Sequence, residues 1–361
     1  MRILIATGGT GGHIYPAVSL ANQLIKEDKD NKILFVGNSD RMEADLLPKQ
    51  GFDFIGIKAA KFNSSSHKLQ AILTLYKAYK QSLKIVEDFN ADVVIGFGGY
   101  VTVPVILAGK KLKKKTIIHE QNSLAGLANR TLAHFVDKVV ICYPSVMDSF
   151  NKSKTVLLGN PRQSAILGFQ KDKSVIEQIG LNPDRKTLLI VMGSLGSKSV
   201  IEKMISILKG LNDKDYNVIY VTGKNNYQQV ISQIQSTENV KITDYIDGFN
   251  VAGNCDLVMS RAGATSLCEY CALALPSILV PSPYVTNNHQ LVNALSMVEA
   301  KASVLLEEKD INEKETINLI DSLIHDDTKL KEMSQGASSL SFENAAIDFV
   351  ELIKNVVGKY I

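Results

Sequence analysis

A glycine-rich turn near the start of the chain carries residue types suited to ligand binding and proton transfer. This turn, GGTGGH at 8–13, directly follows the short β-branched run 3–7 and precedes a helix that Pro16 opens near its first position. Because glycines remove the Cβ atoms, backbone N–H groups can approach an anionic or hydroxyl-rich ligand closely. His13 stands at the mouth of the turn, and imidazole suits a general base near neutral pH. The alternative is a His that only caps the helix or binds a backbone carbonyl.

The turn does not match the common nucleotide-binding fingerprints. Ile14 stands where a dinucleotide-binding turn needs its third Gly, and the next strand ends in Gly37-Asn38 with no acid to hold a ribose. No Gly-Lys pair precedes Ser or Thr, which excludes a P-loop.

Two further turns follow strand-like runs in the same half of the chain. GFGGY at 96–100 follows the run 92–96, and HEQN at 119–122 closes the run 116–120. Ligand sites of open α/β sheets lie outside the carboxyl ends of the strands, which favours a functional role for both turns. Four polar residues in a row are also costly to bury for packing alone. The alternative for HEQN is a polar turn that caps the next helix.

The second half of the chain presents a different set of loops. SRAGATSLCEY at 260–270 follows a strand-like run, and Gly263 opens a helix whose first turn offers donors suited to a diphosphate. Glu269 lies one turn further and is placed to accept hydrogen bonds from two vicinal ribose hydroxyls. A glycine loop at 193–197 and a polar turn within 281–295 also follow strands.

The elements that must position these loops alternate between strand and helix. Short apolar runs separated by helical segments predict parallel sheets covered on both faces, and 361 residues predict two domains. We expect two doubly wound α/β domains with a boundary within 151–170. Residues 68–86 place apolar side chains at helical spacing, as one apolar face of a helix requires.

Cysteine usage and terminal composition favour a reducing cytosol. Four Cys are too few for a disulfide framework, and Cys268-x-x-Cys271 lacks the second pair of a typical metal site, which leaves a metal or redox role as a minor alternative. The two Asp-x-Asp pairs fall in surface turns, so we expect no metal and no cofactor. No run of about 18 apolar residues occurs, so we expect no membrane span, and the composition of the first residues leads us to expect no signal peptide.

The net charge of +3 averages two unlike halves. Residues 1–161 hold 21 basic against 13 acidic residues, whereas residues 162–361 hold 19 against 24. Within the first half, residues 61–119 carry ten Lys and only three acids. The halves are therefore expected to meet different partners.

Taken together and in order, GGTGGH, GFGGY, HEQN, the Gly-Asn-Pro-Arg turn, the 193–197 loop, SRAGATSLCE and HQLVNAL resemble the MurG family. These enzymes are UDP-N-acetylglucosamine:N-acetylmuramyl-(pentapeptide) pyrophosphoryl-undecaprenol N-acetylglucosaminyltransferases. The resemblance implies a glycosyltransferase-B fold, with two Rossmann-like domains facing each other across a cleft. It implies an acceptor and membrane-associating domain at 1–160, a UDP-N-acetylglucosamine domain at 161–341, and a last helix at 342–361 returning to the first domain.

The resemblance also assigns site residues. In the second domain, Glu269 would bind the ribose, Ser194 a phosphate oxygen and, through backbone atoms, Ile246 the uracil. The diphosphate would lie along the start of a helix, at Ala264, Thr265, Ser266, Leu267 and Cys268. The sugar hydroxyls would meet Gln290 and His289. The first domain would contact the donor sugar and the acceptor diphosphate through Thr10, Gly11, Gly12 and Asn122, and Arg162 would offer charge to the nucleotide.

The implied reaction is inverting transfer of N-acetylglucosamine to the C4 hydroxyl of the muramyl sugar of lipid I, giving lipid II. We favour His13 as the base, with Glu120 in reserve. Other lipid-acceptor glycosyltransferases, a UDP-N-acetylglucosamine 2-epimerase and a non-catalytic nucleotide-sugar-binding protein are the alternatives. No nucleic acid is expected as a partner; proteins of cell-wall synthesis and division are candidates.

The basic stretch then predicts a peripheral patch on the anionic cytoplasmic face of the cell membrane. The patch would combine lysines with apolar side chains: Lys77, Lys80, Lys84, Lys110, Lys111, Lys113, Lys114, Lys115, Leu73, Leu75, Tyr76 and Tyr79. A solvated basic face is the alternative.

Overall fold

The computed structural model describes residues 1–59, 68–166, 168–193 and 198–358. They form two units, Met1–Ala165 with Phe342–Ile361 and Ile166–Ser341. Each unit contains one parallel sheet with apolar cores on both faces, which confirms the predicted pair of doubly wound α/β domains.

The sheet of the first unit has the strand order β3-β2-β1-β4-β5-β6-β7. Its strands are β1 Arg2–Ala6, β2 Lys32–Asn38, β3 Asp53–Ile57, β4 Val93–Gly96, β5 Lys115–Glu120, β6 Lys138–Ile141 and β7 Thr155–Leu157. Successive residues of β1 point into opposite cores: Ile3 and Ile5 belong to the core on one face, and Leu4 and Ala6 belong to the core on the other face. Both faces are thus buried, as continuous apolar strands require.

The sheet of the second unit has the order β10-β9-β8-β11-β12-β13. Its strands are β8 Thr187–Val191, β9 Asn217–Val221, β10 Val240–Thr243, β11 Leu257–Ser260, β12 Ser277–Leu279 and β13 Ser303–Leu305.

Helices connect the strands and cover both sheets. The first unit contains α1 Gly11–Glu27, α2 Met42–Lys49, α3 Lys68–Asp88, α4 Thr102–Lys111, α5 Leu127–Leu132, α6 Pro161–Ser164 and, at its end, α15 Ala345–Val357. The second contains α7 Ser174–Gln178, α8 Ile201–Gly210, α9 Tyr227–Ile231, α10 Gly248–Gly253, α11 Ala264–Ala272, α12 His289–Glu299, α13 Glu313–Ile324 and α14 Asp327–Ser339. Short 3₁₀ helices occur at Pro144–Ser149, Lys198–Val200, Thr286–Asn288 and Glu308–Asp310.

Helix α3 has a buried part and an exposed part along its predicted apolar face. Its later turns pack on the core through Ala78, Ile85 and Val86, but Leu73 and Tyr76 in its earlier turns are 58% and 55% exposed. The apolar pattern therefore marks a buried face in one half of the helix and an exposed patch in the other.

Candidate active site

The three motifs of the first unit meet at one edge of its sheet. GGTGGH follows β1, GFGGY follows β4 and HEQN closes β5, and these strands are neighbours in the order β1-β4-β5. The numerical order of the strands reverses between β1 and β4, which makes this edge the topological switch point. Open α/β sheets bind ligands at this place.

The two glycine turns pack directly on each other. A Cβ built at Gly98 would lie 2.5 Å from Cδ2 and 2.8 Å from Nε2 of His13, and one built at Gly99 would lie 2.5 Å from the carbonyl oxygen of Gly8. Both glycines also have a positive φ, 99° and 85°. The second turn therefore forms the surface on which the His13 ring rests, and no residue with a side chain fits there without displacing it.

Thr10 holds the other nitrogen of the His13 ring. Its hydroxyl oxygen lies 3.3 Å from Nδ1 of His13, and Thr10 is also the N-cap residue of α1. If Nδ1–H donates to the hydroxyl, Nε2 carries the lone pair that a general base needs. The half-buried ring is thus fixed by a contact on each side.

The glycines of the first turn serve different purposes. A Cβ at Gly9 would meet nothing within 4 Å, so this position faces open space where a ligand can approach. A Cβ at Gly8 would instead lie 2.2 Å from Oε1 of Glu43, and one at Gly11 would lie 3.0 Å from the Tyr15 ring. The missing Cβ atoms of Gly8 and Gly11 thus make room for neighbouring side chains of the protein, and the proposed contact of Gly11 with a ligand stays a prediction for its backbone. Glu43 itself belongs to no motif in the sequence.

Glu120 is buried, and both of its carboxylate oxygens accept hydrogen bonds. Oε1 accepts from the backbone N–H of Asn122 at 3.1 Å and from its side chain at 3.2 Å, and Oε2 accepts from Gly126 N–H and Asn129 Nδ2, each at 2.9 Å. Because four donors already occupy these oxygens, Glu120 is poorly placed to accept the proton of a substrate hydroxyl. The geometry therefore favours a role for Glu120 in shaping the loop that carries Asn122.

His119, the first residue of HEQN, lies in the core of the unit. It is fully buried, its ring centroid is 4.9 Å from that of Phe97 and 6.0 Å from that of Phe349, and its Nε2 lies 3.3 Å from the carbonyl oxygen of Gly159. Burial lowers the pKa of His119 to about 4, against the hydrogen bond to Gly159. The ring is neutral near neutral pH and acts in packing, so HEQN is not uniformly a ligand-facing turn.

Arg162 lies in the first unit, on α6. Its guanidinium carbon is 5.3 Å from the ring centroid of Tyr15, the aromatic residue that packs on Gly11. Asn160 and Gln163 form a capping box that fixes the start of α6. Whether Arg162 contacts the nucleotide stays a prediction.

In the second unit, α11 presents one narrow accessible face. Gly263 caps the helix, and a Cβ there would meet nothing within 4 Å. Ser266 and Glu269 follow at three-residue spacing and are partly exposed, whereas Leu267 and Cys268 are buried, as are Ala264 and Thr265. The buried members can therefore reach a diphosphate only through their backbone N–H groups, and that of Leu267 already donates to the carbonyl oxygen of Gly263 at 3.0 Å. The N–H groups at the very start of the helix are the ones oriented for an anion.

Buried polar side chains tie this helix start to the loop after β12. Arg261 donates to the carbonyl oxygens of Val280 and Pro281 at 3.2 and 3.4 Å and pairs with Glu308 at 2.5 Å. Asn293 on α12 donates to the carbonyl oxygen of Ala262 at 3.2 Å. Sequence reasoning missed Arg261 and Glu308, because only the fold brings them together.

The remaining predicted residues of this unit lie at the same edge of the sheet or beside it. Gln290 is half-buried at the start of α12, and its Oε1 accepts from the backbone N–H of Ser282 at 2.8 Å, so its NH₂ group is the end that faces away from that contact. His289 is also half-buried, and Ile246 follows β10 at the sheet edge. Ser194 lies outside the described residues.

Comparison with known proteins places both units. A family model described as the glycosyltransferase family 28 N-terminal domain matches residues 3–141, and one described as the family 28 C-terminal domain matches residues 187–349. A UDP-N-acetylglucosamine–N-acetylmuramyl-(pentapeptide) pyrophosphoryl-undecaprenol N-acetylglucosamine transferase of Halalkalibacterium halodurans is 38% identical over 362 residues, 99% of each chain. The protein of that name from Listeria monocytogenes serovar 1/2a is 37% identical over 99% of this chain and 100% of its own.

Solved structures agree with these relatives. The crystal structure of Acinetobacter baumannii MurG matches with a TM-score of 0.77 and 26% identity, covering 98% of this chain and 99% of that one. A putative UDP-N-acetylglucosamine 2-epimerase from Listeria monocytogenes reaches a TM-score of 0.75 at 13% identity, covering 100% and 97%. The second likeness shows the shared fold alone.

Proposed function

The chain belongs to glycosyltransferase family 28, among the UDP-N-acetylglucosamine–N-acetylmuramyl-(pentapeptide) pyrophosphoryl-undecaprenol N-acetylglucosamine transferases, and from that premise we propose its reaction. It is a glycosyltransferase with the glycosyltransferase-B fold. It transfers N-acetylglucosamine from UDP-N-acetylglucosamine to the C4 hydroxyl of the N-acetylmuramyl-pentapeptide of lipid I, and the product is lipid II of peptidoglycan synthesis.

The observation that carries the catalytic part is the fixed position of His13. Its ring rests on Gly98 and is held by Thr10 at the switch point of the first sheet. In the proposed step, Nε2 of His13 takes the proton of the acceptor's C4 hydroxyl, and the oxygen of that hydroxyl forms a bond to C1 of the donor sugar. The bond from C1 to the diphosphate oxygen breaks with inversion, and UDP leaves with the electron pair.

The second unit is proposed to hold the leaving group. The backbone N–H groups in the first turn of α11 and the helix dipole stabilise the negative charge that develops on the diphosphate. Glu269, on the accessible face of this helix, accepts hydrogen bonds from the ribose hydroxyls. The NH₂ group of Gln290 donates to a sugar hydroxyl, because its carbonyl oxygen is already bound to Ser282.

We also propose that the protein binds at the cytoplasmic face of the membrane through the start of α3. No helix in the described ranges has the length and apolarity needed to cross a bilayer. Ile72, Leu73 and Tyr76 are half or more exposed, and Lys80 lies 5.7 Å from the Tyr76 ring centroid. Exposed lysines follow on α3 and around the end of α4: Lys77, Lys84, Lys110, Lys111, Lys113 and Lys115. Leu75 and Tyr79 are half-buried, so they add less to this surface than expected.

Vesicle co-sedimentation tests the membrane proposal. Leu73→Asn with Tyr76→Ser, and separately Lys77→Glu with Lys80→Glu, are expected to reduce binding to anionic vesicles. Lys224→Glu with Lys331→Glu, at exposed positions of the second unit, should not. Binding that is indifferent to anionic lipid and to salt contradicts the proposal. Proteins of cell-wall synthesis and division stay candidate partners.

A transfer assay tests the reaction. Labelled UDP-N-acetylglucosamine is supplied with a lipid-linked muramyl-pentapeptide, or with water alone as the acceptor. We expect labelled lipid II only in the first case. Binding without transfer indicates a nucleotide-sugar-binding protein, transfer to diacylglycerol indicates another lipid-acceptor glycosyltransferase, and epimerised UDP-sugar indicates an epimerase.

A further inference from the structure

Glu43 is a fully buried carboxylate beneath the first glycine turn. It lies in the first turn of α2 and is 0% exposed. Its Oε2 accepts from the backbone N–H of Gly9 at 3.1 Å, and its Oε1 accepts from the backbone and side chain of Asn38, each at 2.9 Å. One side chain thus joins the end of β2 to the turn after β1.

Two glycines make room for this side chain. A Cβ at Gly8 would lie 2.2 Å from Oε1 of Glu43, and a Cβ at Gly37 would lie 2.6 Å from its Cγ. Any other residue at either position would push the carboxylate out of its place. The glycines and the carboxylate therefore form one built arrangement, not a chance contact.

We propose that Glu43 is a positioning residue for acceptor activation; this inference rests on the proposed function. By accepting the Gly9 N–H, Glu43 fixes a glycine of the turn that faces open space. Thr10 follows directly and holds the His13 ring, so the carboxylate sets where the base stands. It touches no reacting atom and acts through the turn.

A carboxylate suits this place because it accepts hydrogen bonds at both oxygens. Glutamine has one acceptor and one NH₂ group, and in either orientation the NH₂ group would face a backbone N–H, that of Gly9 or that of Asn38. A buried donor left unpaired is costly, so the turn would shift to relieve it. The Glu43→Gln substitution keeps the size of the side chain and removes only the pairing of two acceptor oxygens with two backbone donors.

Glu43→Gln is the test, with two matched variants on the same helix. Asp45→Asn removes an equal charge from an exposed position, and Leu47→Ala loosens α2 from the core, where Leu47 is fully buried. All are assayed at a temperature where each is folded. We expect E43Q to lower kcat/KM for the lipid-linked acceptor roughly ten- to hundredfold, with the KM for UDP-N-acetylglucosamine within about twofold of wild type.

The controls decide what a loss means. D45N is expected to match wild type, and L47A is expected to melt at a lower temperature yet keep acceptor kcat/KM. Equal losses of acceptor kcat/KM in E43Q and L47A, or wild-type kinetics in E43Q, overturn the inference. A wild-type chain that transfers no sugar to the lipid-linked acceptor contradicts the proposed function instead, so the two failures are distinguishable.

Discussion

The imidazole of His13 occupies the space that a side chain at residue 98 would need. Nε2 lies 2.8 Å from an ideal Cβ on Gly98, closer than real Cβ contacts come. The absence of a side chain in one turn therefore sets the position of His13, the proposed base, in the other. On that proposal Gly98 matters for catalysis although it contributes no functional group.

We predict that Gly98→Ala lowers kcat roughly a hundredfold, because a displacement of about 1 Å in a reacting group has that order of effect. The matched control is Gly51→Ala, since Gly51 also has a positive φ, 83°, but a Cβ there would meet nothing within 4 Å. Both variants carry the backbone strain, and only G98A displaces the ring. Equal kinetics in the two variants would contradict this account.

His13→Ala is predicted to lower turnover at least about a hundredfold while UDP binding changes little. The proposed base lies in the first unit, whereas the residues proposed for the diphosphate and the ribose lie in the second. Single-turnover kinetics and calorimetric titration with UDP measure the two effects. Wild-type turnover in H13A would remove His13 from the role.

Thr10→Val should also reduce turnover, by roughly tenfold, because it removes the hydroxyl beside Nδ1 and keeps the shape of the side chain. Thr10→Ser restores the hydroxyl and is expected to recover most of the rate. If serine and valine behave alike, the hydroxyl does not orient the ring.

Glu120→Gln distinguishes a base from a loop-shaping residue. We expect it to lower kcat/KM for the acceptor, because an NH₂ group must then face a donor of Asn122, Gly126 or Asn129. The acid limb of the pH–rate profile should keep its midpoint, because E120Q leaves His13, the proposed base, unchanged. A profile that loses its acid limb in E120Q would assign the base to Glu120.

Glu308→Gln is predicted to destabilise the second unit by roughly 3–5 kcal/mol, because it removes the carboxylate charge that the buried guanidinium of Arg261 pairs with. Affinity for UDP should fall as well, since Arg261 holds the loop after β12. The control is Glu307→Gln, which breaks an exposed pair with Lys309 and should cost less than about 1 kcal/mol. Thermal unfolding and titration with UDP check both, and a similar effect of the two variants would refute the role of burial.

The buried His119 is expected to lower the free energy of unfolding in acid. Its pKa is about 4 in the folded chain against 6.5 ordinarily, so the unfolded chain binds the proton more readily. The stability that depends on a neutral His119 is full above pH 6.5 and falls by about 3 kcal/mol as the pH drops to 4. Denaturant unfolding between pH 7 and 4 should show a shallower pH dependence for His119→Gln than for wild type. Parallel curves would refute the assignment.

Most strands could be predicted from the sequence because both faces of a parallel sheet are buried, which makes each strand a continuous apolar run. Two strands at sheet edges, β3 and β13, are not predicted by such a run. In β3 exposed and half-buried residues alternate, and β13 has only three residues, so neither stands out as a run. Edge position alone does not remove the signal, because β7 and β10 also lie at sheet edges.

The motifs located the loops of the site but not the use of each residue. Gly8 and Gly9 are adjacent and identical in type, yet one makes room for Glu43 and the other faces open space. His119 and Asn122 belong to one polar run, yet one is core and the other lies in the loop that Glu120 shapes. These distinctions depend on which strands become neighbours, and short-range spacing does not encode that.

Helix α15 has a consequence for the order in which the protein is made. Phe349, Val350 and Ile353 complete the core that contains Ile3 and Ile5, but the ribosome synthesises them only after the whole of the second unit. The first unit to emerge is therefore the last to be finished, and until then its core is exposed to chaperones and proteases. A nonsense codon shortly before Phe349 would therefore destabilise the first unit, although the second unit lies nearer to that codon in the sequence.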